Sequence, residues 1–564
     1  WLFETQFDAL NRPTWQTTPD NSKTEYGYNN AGLLEKVILT HGCTGQTSEQ
    51  VKNIDYDAKG QRLKIQYGNG VTTTYEYDSL TFRLMRLRST RANDNAVLQD
   101  LQYHYDPVGN ITDLRDIAQQ TIFFNNTVVE PHSAYTYDAL YRLRTSEGRE
   151  HIGQTSTVNH DAPQAQPVVS PQDGNAMRRY VQQFTYDQLG NILEVKHRAG
   201  AGGFVNNWTR QYRYDDSSLL RSGDITNRLT ATTLDDWSSV APYTYDVHGN
   251  MTSMPHLPEM RWDYTDQLCA VDLRGGGTEY YAYDASNQRS RKVWLKPGGI
   301  TCDRIYLGGV FEAYRERDAT STVTLERESL HVMDDKNRVA LVETLTAGTS
   351  ALGEVQGIAL VRYQLSNHLG SACVEVDEAG RVISYEEYYA FGSTAFMAVE
   401  YEVKAAGKRY RYTGKERDES SGLDYYGARY YAAWLGRFVG VDSIFTYYPY
   451  LTPYNYSGNK VISHKDTDGL QSTGDDKIDP NNEVKIEKNI NSELRGKVIN
   501  VHEKEIIIAQ KEYDDGQLSY NSLQNINIEK TFTEYKAHKE ELKKAKNAFI
   551  IAKNNLNVIK SNYQ

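Results

Sequence analysis

The chain has 564 residues, enough to bury a large core, with 43 Tyr against 14 Phe and a net charge of −12. That acidic balance excludes a general nucleic-acid binder, which presents a basic stripe, and no run approaches the roughly twenty apolar residues that span a bilayer. Four cysteines, Cys43, Cys269, Cys302 and Cys373, lie far apart with no Cys-x-x-Cys pair, which fits neither a zinc site nor a disulfide scaffold. They read as structural thiols, and no residue pattern calls for a metal or cofactor. The chain opens at Trp1 with neither Met nor a charged-then-apolar leader, which reads as a piece of a longer protein with its own N-terminal region missing.

From the start of the chain a short unit keeps returning. It is an aromatic followed by Asp, a small turn, and often Gly-Asn or Arg-Leu. Phe7-Asp8, Tyr56-Asp57, Tyr105-Asp106, Tyr137-Asp138, Tyr186-Asp187, Tyr214-Asp215, Tyr245-Asp246 and Tyr283-Asp284 belong to it, usually about 20 to 30 residues apart. Pairs such as Tyr75 and Tyr77, or Tyr243 and Tyr245, fall on one face of a strand because side chains alternate. The Asp is expected to accept hydrogen bonds from the turn's own amides, and a Gly four residues after the Tyr to supply a left-handed conformation. The residues alone therefore predict stacked β-hairpins. Two interruptions, His160–Asn175 and Arg198–Gly203, read as surface loops because the repeat resumes beyond each.

The unit resembles the YD repeat of RHS proteins and teneurins. The resemblance implies a mainly β fold in which YD-repeat hairpins spiral into a large hollow shell. The segment Trp1–Gln154, with TIFFNNTVVEPHSAYTYDALYRLRTSEGREHIGQ, looks like the later part of an insecticidal toxin complex B component, and the remainder like a C component fused behind it. On that reading residues 1–154 and 155–360 are shell.

Residues 361–470 resemble the RHS-repeat-associated core that closes such a shell. The first part runs Tyr363 to Ser371 (YQLSNHLGS), then Asp377, Gly380 and Tyr388–Gly392, with Ala390 where Pro is usual. His368 is expected to pack or hydrogen-bond rather than catalyse. Gly436–Asp442 (GRFVGVD) matches the core's GRF-x-x-x-D element, and Asp466–Leu470 (DTDGL) its DPDGL terminus. Ser443 and Thr467 replace prolines, and Tyr447–Tyr456 reads YYPYLTPYNY, a variant form.

The resemblance implies an intramolecular aspartyl protease that cuts its own chain between Leu470 and Gln471. Asp442 is the first candidate carboxylate, with Asp466 or Asp468 as its partner. Two close carboxylates share one proton, so one polarises the scissile carbonyl while the other activates water. Arg437 would hold one of them ionised, or else brace the shell. The bland alternative for every one of these aspartates is turn capping.

After Leu470 the composition changes. Residues 471–564 hold one Arg (Arg495), no Cys, no Trp and no YD unit, and their 15 basic and 15 acidic residues balance. The whole negative charge therefore belongs to the part before them. Tyr535, His538, Leu542, Ala545, Phe549, Ala552, Leu556, Ile559 and Tyr563 form a heptad stripe, which predicts a small, mainly α or α+β tail. The stripe suits packing within the tail, or binding an immunity protein or partner helix.

The resemblance implies that this tail is a toxic effector carried by the shell of a secreted or cell-surface bacterial toxin. Its partners would be a pore-forming A-type subunit or a secretion apparatus. The tail's own residues give no activity, since it has no Cys for a deaminase-type zinc site and only two histidines, His502 and His538. One rival is an RHS effector of contact-dependent bacterial competition. A second is a teneurin-like adhesion protein, for which the repeats alone would suffice, although the core terminus and abrupt tail argue against it.

Overall fold

The computed structural model describes residues 2–470 and 472–473, apart from 154–174, 202–203, 219–220, 239, 335–336, 351–353, 401–406 and 449. Among them the chain is antiparallel β. Seventeen strands, from Glu4–Phe7 to Val240–Pro242, make one sheet, and twelve, from Glu259–Trp262 to Thr394–Val399, make a second. Nearly every strand pairs with its neighbour in sequence. The described residues hold no α-helix, only 3-10 turns of three residues, and no helix long and apolar enough to cross a membrane. The predicted helical tail and most of the His160–Asn175 interruption lie outside the described residues.

Apart from Tyr214-Asp215, the Tyr-Asp units each close one hairpin, and the chemistry is local. Asp57 Oδ1 accepts the amides of Lys59 and Gln61, both at 2.8 Å, while Gly60 takes a φ of +78° to reverse the chain. Asp187 does the same with Leu189 and Asn191 at 2.9 and 2.8 Å, with Gly190 at +84°. The pairing register slips by one residue at each Tyr, a bulge that sharpens the twist of the sheet.

The tyrosine hydroxyls then tie consecutive hairpins together. Except at Tyr245, whose hydroxyl accepts the Leu229 amide at 3.1 Å, they donate to the carbonyl of the residue that starts the returning strand of an earlier turn. Tyr77 reaches Arg62 at 3.0 Å, Tyr105 reaches Leu84 at 2.6 Å, and Tyr186 reaches Leu143 at 2.7 Å. Tyr214 to Ile192 at 2.8 Å and Tyr283 to Leu268 at 2.7 Å continue the series in both sheets. The ring lies in the apolar layer and the hydroxyl caps a backbone acceptor, which explains the excess of Tyr over Phe.

One sequence expectation is corrected in part. Of Arg198–Gly203, the described residues Arg198–Ala201 are strand and not loop: Ile192–Ala201 pairs with Phe204–Arg213, up to Ala201 opposite Phe204. They extend a long hairpin rather than interrupt it, and buried Ala199 packs against Tyr180. The sheet also runs on across the gap after residue 153, because Leu143–His151 pairs directly with Met177–Tyr186.

The sheets pack face to face in part. Val37, Val51, Ile54 and Ile65 of the first meet Leu330, Val342 and Val374 of the second, with Arg62 paired to Asp334 at 2.7 Å. The segment after residue 407 has little regular structure: a sheet of four short strands, Glu416–Arg417, Asp424–Tyr425, Tyr430–Ala432 and Arg437–Phe438, and one further short pair near residue 470. It sinks Tyr426, Tyr431, Phe438 and Tyr456 into a cluster shared with both sheets, with the Tyr431 and Tyr456 rings 4.4 Å apart. Buried ion pairs fasten it to the second sheet: Arg289 with Glu416 and Asp418 at 2.6 and 2.8 Å, and Lys408 with Glu386 at 3.0 Å. Losing one partner of such a pair strands a buried charge, at about 3–5 kcal/mol.

The hydroxyl ladder predicts that Tyr186→Phe, which keeps the ring and orphans the Leu143 carbonyl, destabilises the fold by about 1 kcal/mol, measured as a lower urea midpoint.

Candidate active site

The terminal DTDGL motif forms a tight turn. Asp466 ends the short strand Lys465–Asp466, which pairs with Ser472–Thr473 beyond the turn. Asp466 Oδ1 accepts the amides of Asp468 at 3.2 Å and Gly469 at 2.6 Å. Asp468 is exposed, and its Oδ1 takes the Leu470 amide at 3.0 Å. Gly469 has a φ of +85°, and a Cβ there would lie 2.9 Å from the Arg429 amide nitrogen. The turn is therefore pressed against the chain at residues 427–429.

Asp442 reaches the same place from another loop. Its amide donates to Pro453 O at 3.0 Å, and its Oδ1 accepts the Ile444 amide at 2.9 Å. Its other oxygen meets Arg429: Nη2 lies 3.0 Å from Asp442 Oδ2 and 3.5 Å from Asp466 Oδ2. Both aspartates thus cap a turn with Oδ1 and present Oδ2 to one guanidinium nitrogen. Turn capping and charge pairing are performed by different oxygens of the same side chains.

Arg429 is held in turn by its setting. Its guanidinium lies over the Phe438 ring at 3.7 Å, Nη1 donates to Pro453 O at 3.1 Å, and Nε donates to Gly469 O. Burial pushes Asp466 up to about 6, against the pull of Arg429 and the turn amides. Burial also raises Asp442, with Arg429 opposing. The same burial lowers Arg429, with Asp442 and Asp466 opposing. One cation facing two desolvated carboxylates favours a single negative charge shared between them.

The structure brings Asp442, Asp466 and the Asp468–Leu470 turn together, and it places Arg437 elsewhere. Arg437 donates to Tyr214 Oη at 3.1 Å and Asn227 O at 2.8 Å and stacks on Tyr454 at 4.5 Å, so it ties this segment to the first sheet. The pairing role considered for it belongs to Arg429, which the sequence reading passed over. The signal was a lone cation flanked by tyrosines in YYGARYY, a setting that buries it. Gln471 lies outside the described residues. His368 Nε2 donates to Ile462 O, 2.7 Å away, and the ring packs edge-on against Tyr103. Among the described residues no three His, Cys, Asp or Glu side chains gather as metal ligands.

A family model described as the teneurin YD-shell matches residues 3–307. The chain belongs to the teneurin YD-shell family. This YD-shell protein is 32% identical to the toxin subunit YenC1 of Yersinia entomophaga over 488 residues, 82% of its own length and 46% of that subunit's. It therefore spans less than half of that curated relative. The crystal structure of TcdB2–TccC3 matches it with a TM-score of 0.72 at 30% identity, over 83% of this chain and 22% of that one. A Tc holotoxin pore from Photorhabdus luminescens matches with a TM-score of 0.71 at 29% identity, over 84% of this chain and 21% of that one.

Replacing Arg429 with Met leaves two buried carboxylates without their cation and is expected to cost about 3 kcal/mol at neutral pH. A carboxyl raised above its unfolded value penalises the fold only when ionised. The loss should therefore be full at high pH and fade as pH falls through about 6, read as melting temperature against pH.

Proposed function

We propose that this protein is the YD-shell part of an insecticidal toxin complex component of the B–C kind. It encloses the chain beyond residue 470 and releases it by cutting the Leu470–Gln471 bond. The observation that carries this reading is the meeting of Asp442 and Asp466 on Arg429, beside the turn that ends at Leu470. The similarity to YenC1, TcdB2–TccC3 and a Tc holotoxin pore supports the toxin assignment and a secreted bacterial protein. It also supports a pore-forming subunit as the partner that receives the freed tail.

The proposed reaction is one hydrolysis. Asp442, ionised beside Arg429, takes a proton from water, and the hydroxide attacks the Leu470 carbonyl carbon. Asp466, which burial keeps protonated to about pH 6, gives its proton to the carbonyl oxygen. Collapse of the tetrahedral adduct returns one hydroxyl proton to Asp466 and breaks the C–N bond, while the proton held by Asp442 passes to the leaving Gln471 nitrogen. The products are a Leu470 carboxylate and a free Gln471 amine. Because the substrate is attached, no encounter entropy is lost and one turnover suffices.

Intact mass and N-terminal sequencing of the denatured chain should give a fragment starting at Gln471, absent from Asp442→Asn and Asp466→Asn. A wild-type chain that stays whole would remove the cleavage assignment and leave the YD-shell fold untouched. Since the acid must be protonated, the cleavage rate should fall as pH rises through about 6, measured as fraction cut against time in a pH series.

A further inference from the structure

Three successive carbonyls of the terminal turn are each taken by a different donor from the segment Lys415–Arg429. Lys415 Nζ donates to Thr467 O, the Ala428 amide donates to Asp468 O at 2.9 Å, and Arg429 Nε donates to Gly469 O. Two of these donors are fixed by the Gly427–Arg429 backbone and the aspartate pair. The third comes from a separate turn, Tyr412–Gly414, whose Thr413 sits at a φ of +49°. The Lys415 amide bonds back to Tyr412 O at 3.0 Å, so the root of the side chain is anchored before it reaches out.

We propose that Lys415 is a positioning residue for the cleavage: by holding the Thr467 carbonyl it fixes the direction in which the chain runs from Asp466 past the aspartate pair. The proposal rests on the cleavage reading. Two hydrogen bonds at adjacent residues leave a strand free to pivot, whereas a third point at the next residue upstream removes that freedom. A charged donor suits the task, because an ammonium holds a carbonyl more tightly than a neutral group does. Asp466 and Asp468 face the ammonium with negative charge, and Lys465 and Arg338 with positive. Burial brings Lys415 down to about 8, against the pull of Asp466.

This arrangement also accounts for the Thr in place of Pro at position 467: Lys415 reads a backbone carbonyl, which both residues carry, and Thr467 itself is exposed. Recognition is strict only where backbones touch, at Gly469 and at Gly427, where a Cβ would lie 3.0 Å from Asp468 O.

The test is the rate of cleavage of the whole chain, followed from synthesis in a cell-free system, for wild type, Asp442→Asn, Lys415→Met and Lys415→Arg. Lys415→Met should cut about tenfold to a hundredfold more slowly. Lys415→Arg, whose guanidinium keeps a charged donor at similar reach, should recover most of the rate. Should Lys415→Met lower the melting temperature appreciably, Lys415→Gln is read in its place. Wild-type cleavage by the Met or Gln variant, with Asp442→Asn uncut, overturns the role of Lys415 and leaves the aspartate assignment standing. Equal slowing in the Arg and Met variants overturns it too. A wild-type chain that never cuts removes both readings.

Discussion

The hydroxyl of nearly every repeat tyrosine, set on a carbonyl of the hairpin before it, is the constraint from which the rest of this structure follows. A hairpin alone is marginal in water, and its register is fixed only by its turn. The tyrosine adds a bond between hairpins that exists in one register only, because the acceptor is the residue that starts the returning strand. The ring buries apolar area while the hydroxyl satisfies a carbonyl left open by the bulge. A sheet built this way accumulates strands one after another without needing contacts between distant parts of the chain. Its walls then supply fixed surfaces against which an irregular segment can be held.

That segment, residues 408–470, is ordered by burial rather than by secondary structure. Its tyrosines and buried ion pairs grip both sheets, and its few strands are two or three residues long. Arg429 lies at its centre and pays for its desolvation by meeting two carboxylates, a ring face and two carbonyls. The burial that confines these groups raises the carboxyls, against the pull of Arg429, toward the range where one is protonated and the other is not. Stability and chemistry are thus set by one arrangement: the cation that neutralises the pair for folding also makes its two members unequal.

The sequence announced the repeats because their chemistry is contained within five residues. Tyr-Asp-x-x-Gly specifies a turn without reference to anything distant, and Asp57, Gly60, Asp187 and Gly190 behave as that pattern requires. The hydroxyl ladder was invisible, since its acceptors are backbone atoms of any residue type. At the site, Asp442 and Asp466 stand out by motif, but their meeting depends on how a chain without regular structure folds back over some two dozen residues. Arg437 looked like the natural cation because it stands five residues from Asp442. It instead takes part in a strand pairing and points to Tyr214, while Arg429 arrives from another loop. Lys415 was missed for the same reason, as its partner is a carbonyl and not a side chain. The Arg198–Ala201 stretch misled because small residues resemble a linker, although a long hairpin accepts them equally well.

The pairing of Lys465–Asp466 with Ser472–Thr473 straddles the bond proposed to break. Hydrolysis there would cut the covalent path but leave the two new ends joined by a ladder two residues long. Such a ladder is weak, yet hydrolysis of the bond it spans does not by itself remove it. Severing and departure are therefore separate events. On the proposed cleavage, the first is complete once the bond is broken, and the second waits until the strand is peeled away.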